Sequence, residues 1–535
     1  MTNVRRNVLF ACLCLLGIGS LCANFLPQPR IRLDGVNSEA WTVAESSAAV
    51  VNAAFEASWE NENIQTAPKA NNLAIARRIS LALTGTLPSL EEIRAFEAVS
   101  PGQQIQWWTD RLLQDRRSSD YLAERFARAF VGTEDGPFLV YRRRRFVTWL
   151  SDQFHENQRY DKIVRELIAG KGLWTDSPAV NFLTVTNDIN GDENPDEERL
   201  AARTTRAFLG VRLDCVQCHD DNLDGNWRQR DFHQLAAFYT ESRSSLLGIS
   251  DKKDAEYEYT YLNETDSEVV DPSFPFCHDI DAESETRRET LANWVTHPDN
   301  KAFSRAIVNR VWALLFGRPL VTPIDSIPLE GPYPAGLEEL ADQFCASACD
   351  LRQLIRTIVA TNVFQADSRA PFDVTKKHEE HWAVFPITRL RPEQVAGSIL
   401  QASSLTTIDA DSHIIVKLTR FDEQDKFVKR YGDTGDDEFD AHGGTIPQRL
   451  LMLNGNLVKE RTKDDLVMNA TARISTLTRS DERAIEAAYL CVLTRQPSAA
   501  ELHHFVSLLA DGDREKEIED LFWVLFNSAE FSWNH

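Results

Sequence analysis

Apolar side chains along this chain recur mainly at the three-to-four-residue spacing of helices, and the exceptions come first. Val8 to Ala23 is an uncharged apolar run behind Arg5 and Arg6, and Asn24 to Ala70 has mixed polarity and is read as a polar lead or linker. From Leu73 the pattern turns helical: Ile75 to Thr84 predicts a helix stopped by Gly85, and Pro88-Ser89-Leu90 predicts another with Ser89 as its N-cap. Trp107 to Leu113, Tyr121 to Phe130 and Phe146 to Phe154 continue in the same period. A helix over Asp196 to Arg212, with Leu200, Thr204, Phe208 and Val211 on one stripe, is followed by another after Trp227 carrying Phe232, Leu235, Ala236 and Phe238. The expected class is mainly α and multidomain.

Composition narrows the setting. The basic residues followed by an apolar run have the order of a signal peptide ending near Ala23, with an uncleaved anchor as the alternative. The first reading implies a periplasmic or otherwise exported protein with no stable membrane span after cleavage. Loss of Arg5 and Arg6 would take the net charge from −23 to −25. Such acidity argues against nucleic acid as a partner and favours a basic protein partner. Arg142 to Arg145 is a local basic run, read as a solvated helix face rather than a ligand site.

Between the two helices described above stands Cys215-Val216-Gln217-Cys218-His219. Two thiols three positions apart, followed at once by an imidazole, have the spacing that binds one haem c covalently. Cys215 and Cys218 would form the thioethers, and His219 would be the proximal iron ligand. For the sixth position, Met452 and Met468 are remote in sequence, and His233 is the nearest distal alternative, with His278 further away; an open position is the other reading. Zinc held by Cys215 and Cys218 with His219 or His233 is a separate alternative, and would make the protein a structural or binding module. Cys345 and Cys349, four apart, could form a local disulfide, while the pairing of Cys277 and Cys491 is open. The stretches Asn187 to Asn194 and Asp433 to Asp440 are read as acidic loops.

The run Phe208 to Asp220, with Trp227 and Asp231 to Phe238, resembles the planctomycete cytochrome C domain of unknown function, as do Arg77-Arg78 through Gly85, Leu87 to Glu92 and Pro178 to Phe182. His297 to Asn300, Val308 to Trp312 and Phe316 to Leu320 resemble the planctomycete-specific domain that commonly follows it. Later matches are Leu351 to Arg356, Arg389 to Glu393, Leu453 to Gly455 and Thr494 to Pro497. A departure is Asp221, where members often have a second histidine. The division expected is 1–23 signal, 24–72 lead, 73–245 c-type haem-binding helical domain, 246–284 linker and 285–535 larger helical domain. The functional expectation is electron transfer to or from a substrate-oxidising partner. Alternatives are a haem oxidoreductase with an open sixth site, acting on a small molecule or carbohydrate, and the zinc-stabilised module.

Overall fold

The computed structural model describes residues 35–535 apart from 134–140, 188–193, 221–226, 263, 410, 413, 433–438, 440–444 and 464–468. The expected signal segment, Asp221, Met468 and most of both acidic loops therefore lie outside the described residues. Helices take up 60% of the described residues and strands 4%, so the mainly helical, multidomain class holds. Among the described residues the strands form three two-stranded antiparallel pairs.

Local signals act where the sequence places them. The helix Asn72–Thr84 ends at Gly85, whose φ of +67° suits a residue without Cβ; a Cβ there would also run into the Tyr121 ring. Ser89 caps the helix Leu90–Ala98 in a reciprocal capping box with Glu92. The lead is a different matter. Ser38–Glu62 is a 25-residue helix that buries Trp41, Ala44, Ala48, Val51 and Phe55 along one stripe, and the Trp41 indole donates to Asp110 at 3.0 Å. Its many alanines and serines dilute that stripe, which is why the segment reads as polar in sequence.

Two hydrophobic cores result. The first gathers buried residues from Trp41 to Phe385, and the second gathers Leu390 to Phe531 together with Leu81 and Leu87. Asn72–Thr84 lies between them: every residue from Ile75 to Thr84 is buried, with Ile75, Ile79 and Leu83 facing the first core and Leu81 the second. The stretch 246–284, expected as a linker, is also part of the first core through Ile249, Tyr257, Val270 and Ala282. Its Phe274 stacks on Trp294 with ring centres 4.8 Å apart. Alternation there is short and interrupted, so no helical or strand period announces the burial.

Two buried guanidinium groups join the cores. Arg77 donates to the carbonyls of Glu530, Phe531 and Trp533. Arg78 donates to those of Phe364, Ala366 and His535 and lies 3.6 Å over the Phe385 ring. Burial lowers their pKa to about 10 and about 9, which leaves both charged at neutral pH. Removing the Arg78 head group strands three acceptors in the interior. Arg78→Met should therefore cost about 3 kcal/mol, read as a fall in the urea midpoint, and a loss below about 1 kcal/mol would contradict this role.

Candidate functional site

The helix Glu197–Thr204 opens into a π-turn over Thr205–Leu209 and stops at Gly210, φ +62°, earlier than the stripe to Arg212 suggested. Gly210 is required by its neighbours. A Cβ there would lie 3.0 Å from Ile327 and 3.3 Å from Ala306, and the Gly210 carbonyl accepts the Ile327 amide at 2.7 Å. The chain then enters a 3₁₀ turn, Asp214–Gln217, with Cys218 at its end.

With three residues per turn, positions 215 and 218 share one side of such a turn. Both thiols are exposed, while Leu213 and Val216 are buried in the first core. His219 is exposed as well, and its Nδ1–H donates to the Asp220 carbonyl at 2.8 Å. That bond sets the tautomer and leaves the Nε2 lone pair open to solvent, the arrangement in which metal-bound histidines are usually held. The donor set therefore fits a c-type haem: two accessible thiols on one face and an oriented imidazole beside them.

The back of the turn is fixed by the Gln217 backbone carbonyl. It accepts from His233 Nε2 at 3.1 Å, Gln229 Nε2 at 3.0 Å and, more loosely, the Tyr259 hydroxyl at 3.4 Å. The Gln217 side chain donates to Glu198, and the Asp220 carboxylate accepts the Gln229 amide at 2.8 Å. Both flanking helices, Glu197–Thr204 and Gln229–Ala236, thus grip the loop.

His233, the sequence candidate for distal ligand, is fully buried in this clasp. Because a carbonyl only accepts, Nε2 carries the hydrogen, and Nδ1 accepts from the Tyr257 hydroxyl at 2.8 Å. Tyr257 also reaches Glu198 at 3.3 Å, and Tyr259 stacks on the imidazole at 3.4 Å. The structure thus places His233 in the interior beside the turn, with both ring nitrogens in hydrogen bonds. Burial raises the Glu198 carboxyl and the Tyr257 phenol, and lowers the His233 imidazole to about 4. Sequence reasoning missed Tyr257, Tyr259 and Glu198; the tyrosines at alternate positions 257, 259 and 261 were the available signal.

The other predicted donors lie elsewhere. Met452 is buried in the second core, and His278 is on an exposed part of the 246–284 stretch. Cys345, Cys349 and Cys277 have free, at least partly accessible thiols, while Cys491 is a free thiol buried in the second core. Among the described residues no group of three or more His, Cys, Asp or Glu side chains is placed to hold a metal ion. Within the basic run, Arg143 pairs with Glu124 at 2.8 Å, as a structural face would.

Two family models cover most of this architecture. Residues 50–244, with the CxxCH turn, match PSCyt2, described as a protein of unknown function (DUF1549), and residues 287–420 match PSD1, a protein of unknown function (DUF1553). These are the planctomycete cytochrome C domain and its C-terminal partner domain. The first match begins at residue 50, inside the helix Ser38–Glu62. No curated protein and no solved structure matches the chain.

The clasp has a pH signature. His233 is held neutral in the folded protein, whereas in the unfolded chain it takes up a proton near 6.5. Stability contributed by the neutral ring is complete above that pH and falls as pH drops towards about 4, by about 1 kcal/mol per unit. His233→Phe, which keeps an aromatic ring on Tyr259, should flatten that slope and cost about 1–3 kcal/mol at pH 7, both read by urea unfolding across the pH range. An unchanged slope would remove His233 from the clasp.

Proposed function

We propose that the chain is an exported, c-type cytochrome-like protein that carries one covalent haem and acts in electron transfer, to or from a substrate-oxidising partner. The observation that carries this reading is the pairing of two exposed thiols on one face of a 3₁₀ turn with an imidazole already oriented by the Asp220 carbonyl. Cys215 and Cys218 would add to the two vinyl groups, and His219 Nε2 would take the proximal place. When bound, haem supplies a one-electron couple whose potential is set by the axial ligands and their hydrogen bonds. The protein's part is to hold the turn. The clasp on Gln217 keeps both sulfurs outward, and the 2.8 Å bond from His219 to Asp220 makes the imidazole a stronger donor. A net charge of −23 supports a basic redox partner whose approach is faster at low ionic strength.

A second reading, an open sixth position with ligand chemistry of its own, is favoured by one observation. His233 is committed to Tyr257 and Gln217, and Met452 to the second core. Protein made with a c-type maturation system should, once reduced, bind carbon monoxide readily, and His233→Phe should leave that spectrum unchanged. Cys215→Ser with Cys218→Ser should abolish the haem spectrum. A low-spin ferric spectrum that turns high-spin in the His233 variant would instead make His233 the distal ligand. Retained covalent haem in the double cysteine variant would overturn the attachment site.

A further inference from the structure

Next to the CxxCH turn the first core is hollowed by a cleft of about 230 Å³, lined by Arg128, Arg199, Arg203, Arg206 and Arg310. Three of these stand at i, i+4 and i+7 on the helix Glu197–Thr204 and its π-turn, so one helical face presents them together. Arg128 comes from the helix Arg116–Val131 and Arg310 from Lys301–Phe316, so both sequence modules contribute. Two carboxylates share the lining, Asp214 and Asp325. Asp325 is already bonded to Arg206 at 2.8 Å and to Arg212, and Asp214 lies 3.4 Å from Arg206. Arg128 also pairs with Glu124 at 3.6 Å, and arginines still outnumber carboxylates in the lining by five to two, in a chain whose net charge is −23.

Concentrating guanidinium groups against the trend of the whole molecule costs repulsion and desolvation that no general need for solubility explains. Arginine's planar fork matches the paired oxygens of carboxylate, sulfate and phosphate groups, and a partly enclosed cleft strengthens such bonds relative to water. We propose that this cleft binds an oxyanion group. Asp214 lines it and is the residue before Cys215, so the oxyanion has two sources to be told apart: a free anionic solute, or the propionate carboxylates of a haem held by the turn. The inference stands on the cleft alone and does not require haem.

Inorganic sulfate is the probe, titrated at constant ionic strength against chloride, with the thermal midpoint and calorimetric binding as readouts. The full mature chain is used in two forms: haem-loaded, and haem-free through Cys215→Ser with Cys218→Ser. Sulfate should raise the midpoint saturably in the haem-free form. Arg203→Gln and Arg199→Glu should each weaken binding about tenfold or more. Arg199 is exposed, so its variant reports on binding without the risk of unfolding the helix. Sulfate binding in both forms assigns the cleft to a free solute, and binding only in the haem-free form assigns it to the propionates. A response equal to that of chloride, or one untouched by both arginine variants, overturns the proposal.

Discussion

One carbonyl oxygen, that of Gln217, holds the candidate site together. An isolated 3₁₀ turn of four residues has little stability of its own, because its hydrogen bonds are few and poorly aligned. Here the turn is held from behind by donors from His233, Gln229 and Tyr259. The donors are themselves fixed: His233 by Tyr257, and Gln229 by its place at the start of the helix Gln229–Ala236. With the back of the turn tied down and Val216 buried, the two cysteine side chains have only the solvent side left to them. A polar cluster of this kind is costly when half-satisfied and rigid when complete, which suits the proposed role of a loop that presents two thiols in fixed register.

The larger frame explains why the clasp can exist. Gly210 lets the chain turn sharply against Ala306 and Ile327, so the second sequence module forms part of the wall beside the site. The helix Asn72–Thr84 binds the two cores through Arg77 and Arg78, which take main-chain oxygens as hydrogen-bond partners instead of side-chain carboxylates. A guanidinium that satisfies three carbonyls tolerates burial and fixes the ends of the segments that supply them. The short strand pair Thr388–Arg389 with Trp533–Asn534 completes the junction.

Much of this was legible from residues alone, and the reasons divide cleanly. Gly85, Ser89 and the stripe Leu200, Thr204, Phe208 are local signals, set by φ, by capping chemistry and by one helical face, so sequence carries them directly. The pentad carries its chemistry in its spacing. What sequence did not carry is the third dimension. The role of His233 depends on a tyrosine 24 positions later in a stretch without periodicity, and the Ser38–Glu62 helix hides its stripe among small residues. The arginines at 199, 203 and 206 follow helical spacing as clearly as the apolar stripe does, yet only the packing of two other helices turns them into a cleft.

The proposed haem site requires Cys215 and Cys218 for covalent attachment, and intact-mass analysis of the denatured, c-type-matured chain tests that most directly. The expected result is the added mass of one haem per chain, surviving denaturation and confined to the peptide that contains both cysteines. A matured chain with no added mass and with both thiols open to alkylation would contradict it.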